Sequence, residues 1–281
     1  MADSPPTPLM PLTSSGPSVL VTLPVYNEAP RIRDSVERLL RVLEESGLRF
    51  RLSIAEDGST DGSREIIREL VGLHPDILVQ SDPERHGRGW ALRQLWSRID
   101  ADFYSFSDTD FAADPRFLVE GIRIAQGGKP VVSGSRYVPG ATVTRPPIRR
   151  TVSKWYNWLV RRIFREHIQD HQCGLKVFSR EAVRTLLPRA RENSWFWDTE
   201  MLVLATSMGL EVTEFPVDWV EHKLKRTSML RLASDVYLHG TGMLRLVGYC
   251  RGPSNGHSVR IVPIEHSIAP DEPPRVVEIH S

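Results

Sequence analysis

The sequence predicts an α/β protein whose central sheet is mostly parallel and carries helices on both faces. Two observations lead to this fold class. Short apolar runs alternate with segments whose apolar residues recur about every 3.6 positions throughout the first half of the chain. The 281 residues are 40% hydrophobic and 25% charged. This composition is typical of a globular protein large enough to bury a real core, and it excludes a wholly disordered chain and a fibre.

The elements of the first half follow from these two patterns. Val19–Leu23 is a mainly apolar run and is predicted as the first strand, and the spacing of Ile32, Val36 and Leu43 predicts a helix with one apolar face. Asp114 followed by a proline predicts the start of a later helix, because aspartate caps helices and proline suits their first position. The remaining predicted elements are strands at 52–55, 77–79, 103–106 and 131–133, and helices around 66–71, 89–99 and 115–125.

The second half is less regular, and both ends are rich in proline. It is predicted to contain helices at Arg149–Phe164, 180–187 and 198–208, a strand near Val212–Val217 and a mixed segment at Leu230–Tyr249. Residues 1–17 and 252–281 are predicted to be disordered tails, since they hold little apolar surface to bury. The interpretation is therefore one catalytic domain at 18–230, followed by a helical segment at 231–251 that suits a membrane surface.

Charge and cysteine content exclude several functional classes. With 36 basic and 35 acidic residues the net charge is +1, so no nucleic-acid partner is expected. Cys173 and Cys250 are too few for a disulfide framework and favour a reducing compartment. The N-terminus lacks the pattern of a signal peptide, and no apolar run is long enough to cross a bilayer. We therefore expect a cytoplasmic location.

Polar clusters follow two neighbouring predicted strands, where an open α/β sheet binds its ligands. The first cluster includes Tyr26, which offers an aromatic face to a base, and Glu28, which can accept from a base edge or a ribose hydroxyl. The second includes Asp57, which can accept from the N–H edge of uracil or guanine. A turn leading into a capped helix explains both clusters equally well, so neither is specific alone.

A third cluster follows the strand at 103–106. Asp108 and Asp110 stand two positions apart in an extended stretch, so their side chains point the same way. Two carboxylates held together are costly unless a cation lies between them. Mg²⁺ and Mn²⁺ prefer such oxygen ligands and share them with substrate phosphates. The pair therefore predicts a divalent metal site, with a solvated acidic loop as the alternative.

Taken together, the motifs resemble the family 2 inverting glycosyltransferases of the GT-A fold. The motifs that carry this resemblance are Pro24–Glu28, Glu56–Ser59, Asp108–Asp110 and Gly134–Arg136. Three later motifs narrow it to the polyprenyl- or dolichyl-phosphate sugar synthases: Asp170–Lys176, Trp197–Glu200 and Pro216–Glu221. The resemblance extends over about residues 18–230.

The resemblance implies a role for each matching residue. The implied contacts to the nucleotide base and ribose are Pro24, Tyr26, Glu28 and Asp57. Asp108 and Asp110 are the implied metal ligands, with Asp108 also near the sugar diphosphate, and Arg136 is implied to contact the donor diphosphate or the acceptor phosphate. The implied ligands of the lipid phosphate are Arg149, Arg150 and Ser153.

One motif departs from the synthases. Their later basic element ends in lysine, whereas this chain has Met229 at that position. Lys223, Lys225 or Arg226 is expected to supply the missing charge on the donor side. The acidic pair before Gly58 also reads Glu-Asp, which is a mild change.

The resemblance implies transfer of a hexose from a UDP- or GDP-sugar, with Mg²⁺ or Mn²⁺, to a polyprenyl phosphate at the cytoplasmic membrane face. A soluble small-molecule or peptide acceptor is the first alternative, and Asp170 or Asp198 would then be the candidate general base. A catalytically silent nucleotide-sugar-binding protein is the second alternative. The costly pair of aspartates argues against it.

The predicted helix at Arg149–Phe164 bears on the acceptor. Its aromatic face beside an arginine-rich face suits a membrane with anionic head groups, so a peripheral position on the membrane is one interpretation. An ordinary surface helix with its apolar face in the core is equally compatible with the spacing. His86–Gly89, ahead of another helix, is a weak candidate for holding the diphosphate.

Overall fold

The computed structural model describes residues 16–221, 240–248, 250 and 259–262. The predictions made for residues 1–15 and for Lys223, Lys225, Arg226 and Met229 lie outside these residues. The strands are β1 Val19–Val25, β2 Phe50–Asp57, β3 Leu78–Asp82, β4 Phe103–Ser107, β5 Val131–Ser135, β6 Val143–Thr144, β7 Leu175–Ser179, β8 Val212–Pro216, β9 Trp219–Val220 and β10 Val259–Ile261. The helices are α1 Ile32–Glu45, α2 Ser63–Leu73, α3 Arg88–Trp96, α4 Pro115–Gln126, α5 Pro147–Phe164, α6 Arg180–Leu186 and α7 Trp197–Ser207.

The central sheet has eight strands in the order β10-β8-β5-β7-β4-β1-β2-β3. All neighbouring strands pair in parallel except β7, which runs antiparallel to both β4 and β5. The prediction of a mostly parallel sheet is confirmed. β7 was not predicted from the sequence, although it lies near the middle of the sheet. A small parallel pair, β6 and β9, stands apart from it.

Helices cover both faces of the sheet, as predicted. Alternate residues of β1 point to opposite faces, and Val21 and Leu20 belong to two different apolar clusters. The Val21 cluster contains residues of α1, α2 and α4, whereas the Leu20 cluster contains residues of α3, α6 and α7. The two layers leave the carboxyl ends of the parallel strands open at one edge.

A third apolar cluster joins α5 to the helical residues 240–248. Its buried members include Tyr156 and Val160 of α5, Phe196 ahead of α7, and Met243 and Leu246. The helical residues 240–248 fall within the segment 231–251 that was predicted to be helical. No helix in the described part of the chain combines the length and apolar character that a membrane span requires.

The observed bounds of several strands and helices differ from the predicted ones. The third strand was predicted at 77–79 and lies at Leu78–Asp82, and α5 begins at Pro147 rather than Arg149, with Pro147 in the position that proline favours. The prediction of a disordered tail at 252–281 is wrong for β10, Val259–Ile261, which pairs in parallel with β8. β10 supplies hydrogen-bond partners to the backbone groups of β8, which would otherwise be the edge strand here.

Candidate active site

The loops predicted to carry the chemistry meet at one edge of the sheet. β1 pairs in parallel with both β2 and β4, so the polar segments that follow these three strands leave the sheet side by side. The loops after β1 and β2 are joined directly, since the backbone N–H of Asn27 donates to Ser59 Oγ at 3.0 Å. The structure therefore brings together the three clusters that the sequence analysis singled out.

Asp108 follows β4 and is fixed by its neighbours. Its backbone N–H donates to the carbonyl of Gly174 at 3.0 Å, and Arg88 Nη1 donates to its Oδ1 at 2.6 Å. A methyl group on Gly174 would lie 1.9 Å from Asp108 Oδ2, so only glycine leaves room for this carboxylate. Burial raises the pKa of Asp108 to about 7, against the opposing charge of Arg88, and the negative charge of Asp110 adds to the increase.

Asp110 is exposed beside Asp108, and its Oδ1 accepts from the backbone N–H of Ala112 at 3.2 Å. The described residues contain no group of three or more His, Cys, Asp or Glu side chains that could enclose a metal ion. A pair of carboxylates at an open edge is instead the donor set that Mg²⁺ or Mn²⁺ uses when substrate phosphates and water complete its coordination. The residues present therefore fit the predicted divalent cation.

Arg88, the first residue of α3, connects this site to α7. It is buried, and its second guanidinium nitrogen, Nη2, contacts the buried carboxylate of Asp198. Its Cζ lies 5.4 Å from the ring centroid of Phe106 and 4.0 Å from that of Trp195. This segment was predicted only as a candidate phosphate loop, and the pairing of Arg88 with Asp108 was not predicted. Nothing in the spacing of the two residues indicates it.

Asp57 fixes the loop that precedes Arg88. Its two carboxylate oxygens accept from the backbone N–H groups of His86 at 2.8 Å and Gly87 at 2.7 Å. Gly58 lies directly beneath this loop, where a Cβ would come within 2.5 Å of the backbone nitrogen of Arg85. The predicted contact of Asp57 with a nucleotide base remains a prediction, and the contact that the structure shows is with this loop.

The other predicted base and ribose contacts are half-buried: Pro24 lies near the end of β1, and Tyr26 and Glu28 lie in the loop that follows it. The guanidinium of Arg85 lies over the ring of Tyr26, with its Cζ 3.8 Å from the ring centroid. Glu28 pairs with Arg31 at 3.1 Å. One face of the Tyr26 ring is therefore in contact with the loop that Asp57 anchors.

Arg136, just after β5, is buried and forms a two-pronged ion pair with buried Asp170. Its Nε and Nη2 lie 2.7 and 2.8 Å from the two carboxylate oxygens. Arg136 holds the pKa of Asp170 at about 2 although burial alone would raise it, and Asp170 in turn raises the pKa of Arg136. Asp170 and Asp198, the candidate bases for a hydroxyl acceptor, are thus both paired with buried arginines.

The residues predicted to hold the acceptor phosphate lie at the start of α5. The guanidinium of Arg149 contacts Glu221, and Ser153 is buried with its Oγ 3.4 Å from Gln172 Oε1. Arg150 is exposed. The structure therefore brings Arg149 and Ser153 to the side of α5 that faces the domain, while Arg150 faces solvent.

Comparison with known proteins gives one family. The model of glycosyl transferase family 2 matches residues 20–187. Glycosyltransferase AglD of Haloferax volcanii is 39% identical over 236 residues, which cover 83% of this chain and 37% of that protein. A dolichyl-phosphate β-glucosyltransferase of Trichomonas vaginalis is 29% identical over 76% of this chain and 68% of its own length, and that of Saccharomyces cerevisiae is 29% identical over 72% and 66%. The chain thus spans little more than a third of the length of AglD.

Solved structures show the same fold. Glucosyl-3-phosphoglycerate synthase of Mycobacterium tuberculosis, in complex with Mn²⁺, UDP and its product, has a TM-score of 0.63 at 19% identity, over 83% of this chain and 81% of that one. The mannosyltransferase PcManGT of Pyrobaculum calidifontis, in complex with GDP-mannose and Mn²⁺, has a TM-score of 0.54 at 19% identity, over 85% and 68%. The sheet covered by helices on both faces and the similarity to these solved structures show the GT-A fold. Because the family model matches more than half of the chain, the chain belongs to glycosyl transferase family 2.

Proposed function

We propose that this chain transfers a hexose, with inversion at the anomeric carbon, from a nucleotide sugar to a polyprenyl phosphate. The observation that carries the proposal is the pair Asp108 and Asp110 at the carboxyl end of β4, beside the loops of Tyr26 and Asp57. The dolichyl-phosphate β-glucosyltransferases among the relatives favour glucose as the sugar and a polyprenyl phosphate as the acceptor. UDP-glucose is therefore the first donor to test, and GDP-mannose the second.

The donor is expected to bind along the edge formed by the three loops. Tyr26, Glu28 and Asp57 bind its base and ribose in this proposal, and the diphosphate lies towards Asp108. A Mg²⁺ or Mn²⁺ ion held by Asp108 and Asp110, when bound, neutralises the charge that develops on the diphosphate leaving group. Arg88 holds the Asp108 carboxylate in place, and Lys223 or Arg226 supplies further positive charge in the proposal.

The acceptor chemistry explains why the site needs no general base. An oxygen of the acceptor phosphate is already an anionic nucleophile, so it attacks the anomeric carbon while the bond from that carbon to the diphosphate breaks. A hydroxyl acceptor would need a carboxylate free to take its proton. Asp170 and Asp198 are instead occupied by Arg136 and Arg88. This arrangement favours a phosphate acceptor over a hydroxyl acceptor.

Helix α5 supports an acceptor that resides in a membrane. Ile148, Trp155 and Trp158 on this helix are exposed, by 76%, 60% and 52%. The helix contains five basic residues and no acidic one. Exposed aromatic and aliphatic side chains among basic residues suit the interface of a membrane with anionic lipids. We therefore propose a peripheral position on the cytoplasmic membrane face, with Arg149, Arg150 and Ser153 close to the lipid phosphate.

The test is a transfer assay that separates products by solubility. Purified protein, Mn²⁺ or Mg²⁺, a polyprenyl phosphate in vesicles and UDP-[¹⁴C]glucose should move label into the organic phase. Label found only in a water-soluble product would overturn the lipid acceptor in favour of a soluble one. EDTA, or the substitution Asp110→Asn, should abolish transfer. Asp76→Asn should not, because Asp76 lies in the turn ahead of β3, at the opposite ends of the parallel strands from Asp110.

Acceptor binding has its own test in the same assay. The double substitution of Arg149→Ala and Arg150→Ala should raise the KM for the polyprenyl phosphate more than the KM for the nucleotide sugar. An equal effect on both constants would contradict the placement of the acceptor phosphate at the start of α5.

A further inference from the structure

We propose that Tyr137, Arg145 and Trp219 form a phosphate-binding pocket between β5 and α5, with a phosphate monoester as its ligand. The resemblance to the synthases assigns no role to these three residues. The pocket adds to the proposed function the residues that bind the acceptor phosphate. It rests on that function only for the source of the phosphate, which is the head group of the lipid acceptor.

Three buried hydrogen-bond donors carry the inference. Tyr137 Oη, Arg145 Nη1 and Trp219 Nε1 are buried, and none has a hydrogen-bond partner among the described residues. A buried donor without a partner is costly, and a charged one more so. Two of the three groups can only donate. A ligand that satisfies all of them must therefore present several acceptor oxygens, as a phosphate does.

The same neighbours bring these donors together. The guanidinium of Arg136 lies 4.8 Å from the ring centroid of Trp219 and 5.5 Å from that of Tyr137. Arg145 directly follows β6, which pairs with the strand that contains Trp219. Tyr137 and Trp219 thus lie against the buried Arg136, and Arg145 is near enough for the charge of Arg136 to act on it.

Positive charge is concentrated in this region. Four cationic side chains occupy it: Arg136, Arg145, Arg149 and Lys154. Asp170 forms an ion pair with Arg136, and Glu221 is shared, with its Oε2 3.1 Å from Arg145 Nε and its Oε1 in contact with Arg149. A phosphate monoester dianion would bind favourably among these cations.

Arg145 shares Glu221 with Arg149 and is largely buried, with its side chain 18% exposed. Burial lowers the pKa of Arg145, and the like charge of Arg136 lowers it further, against the single carboxylate of Glu221. A guanidinium in this position gains from an additional anion. Lys154 Nζ, 5.9 Å from the ring centroid of Tyr137, adds positive charge from α5.

The pocket lies next to the donor site along the edge of the sheet. Because β7 is antiparallel, its first residue, Leu175, pairs with Ser107 at the end of β4, and Lys176 pairs with Ser133 near the end of β5. The segments leaving β4 and β5 towards Asp108 and Arg136 therefore lie on either side of β7. A phosphate held beside Arg136 would approach the donor from the side opposite the Tyr26 loop.

The pocket is tested by binding, independently of transfer. Inorganic phosphate is titrated into the wild-type protein by calorimetry, in a buffer without phosphate, and then into Tyr137→Phe, Trp219→Phe and Arg145→Gln. The first two substitutions remove one donor and keep the aromatic ring, so folding should be preserved, as circular dichroism will show. Each variant should bind phosphate about tenfold more weakly or worse, as expected for loss of a hydrogen bond to a charged group. Their affinity for UDP with Mn²⁺ should be unchanged.

Arg68→Gln is the matched control, because it removes the same charge from an exposed pair on α2, far from β5 in the sheet. It should leave phosphate binding as in the wild type. No binding of phosphate by the wild type at millimolar concentration, or Tyr137→Phe and Trp219→Phe variants that bind as tightly as the wild type, would overturn the pocket.

The source of the phosphate is distinguished by competition with citronellyl phosphate, a short water-soluble polyprenyl phosphate. If citronellyl phosphate displaces inorganic phosphate from the wild type, and the Tyr137→Phe, Trp219→Phe and Arg145→Gln variants bind it more weakly, the ligand is the lipid head group. Phosphate binding without competition would show a pocket for free phosphate and overturn the assignment to the lipid. If phosphate binds as described but no label enters lipid, the proposed function fails and the pocket stands. If label enters lipid and the variants bind as the wild type does, the pocket alone fails.

Discussion

Arg88 Nη1 lies 2.6 Å from Asp108 Oδ1, and Nη2 of the same guanidinium contacts Asp198. One side chain at the start of α3 therefore joins the carboxylate at the end of β4 to the first turn of α7. Its own position depends on Asp57, which holds the two backbone N–H groups immediately before it. The predicted base-contact residue and the predicted metal ligand are thus parts of one connected network.

Arg88→Met should destabilise the protein strongly. Asp198 is 2% exposed and would lose its cation, and breaking a buried ion pair costs about 3–5 kcal/mol. The free energy of unfolding, measured by urea denaturation, should fall by that amount. Arg68→Met, which breaks an exposed pair with Glu65, should change it by less than about 1 kcal/mol. Equal effects of the two substitutions would contradict the role assigned to Arg88.

Gly174→Ala should impair metal binding more than folding. The added methyl group would lie 1.9 Å from Asp108 Oδ2 and must displace that carboxylate. We expect the affinity for Mn²⁺ in the presence of UDP, measured from the electron paramagnetic resonance signal of free Mn²⁺, to fall at least about tenfold, or 1.4 kcal/mol.

The control for this substitution is Gly72→Ala in α2, where a Cβ would meet nothing within 4 Å. It should leave Mn²⁺ binding unchanged and stabilise the protein by up to about 1 kcal/mol, because alanine favours the helix. If Gly174→Ala binds Mn²⁺ as the wild type does, then Asp108 is not a metal ligand.

The positions of Asp108 and Asp110 were predictable from the sequence because their signal is local. The apolar run ending at Phe106 predicts a buried strand, and the two-residue spacing of Asp108 and Asp110 then places both carboxylates at its carboxyl end. The loops of Tyr26 and Asp57 follow neighbouring strands for the same reason. The general position of the site therefore depends only on periodicity and on the parallel arrangement of the strands.

What could not be predicted depends on contacts that only the folded chain shows. The apolar run of β7 is interrupted by Lys176, which is fully buried and donates from Nζ to the carbonyl of Cys173 at 2.6 Å. A lysine is rarely buried without a partner, and that partner is visible only in the folded chain. The pairing of Arg88 with Asp108 and that of Arg136 with Asp170 likewise join residues brought together by packing, which no spacing rule encodes.

The ion pair formed by Asp170 and Arg136 should make the stability of the protein depend on pH in the acidic range. The pKa of Asp170 is about 2 in the folded protein, below the ordinary 3.8 of aspartate. The ion pair therefore contributes fully to the free energy of unfolding above pH 4, and this contribution disappears as the pH falls towards 2. The shift corresponds to about 2 kcal/mol. Urea denaturation at pH 7, 5, 4 and 3 should show this decline in the wild type.

Asp170→Asn should be less stable than the wild type by about 3–5 kcal/mol at pH 7, since Arg136 would be buried without its partner. This difference should shrink below pH 4. Asp100→Asn, at an exposed position, is the control and should follow the wild type throughout. A difference between Asp170→Asn and the wild type that does not vary between pH 5 and pH 3 would contradict the pairing as the source of the acid dependence.

Replacing the exposed tryptophans of α5 should weaken membrane binding without affecting the donor site. The double substitution Trp155→Ser with Trp158→Ser removes the two exposed tryptophans of this helix, while its five basic residues remain. Sedimentation with vesicles containing phosphatidylglycerol should show at least about tenfold weaker partitioning, because each buried aromatic side chain contributes on the order of 1–3 kcal/mol.

The control is Leu73→Ser, which replaces an exposed apolar residue at the end of α2 and should partition as the wild type does. Binding of UDP with Mn²⁺ should be the same in all three proteins. A double variant that still sediments with the vesicles would mean that α5 is an ordinary surface helix, and the polyprenyl phosphate would then have to reach the site by another face.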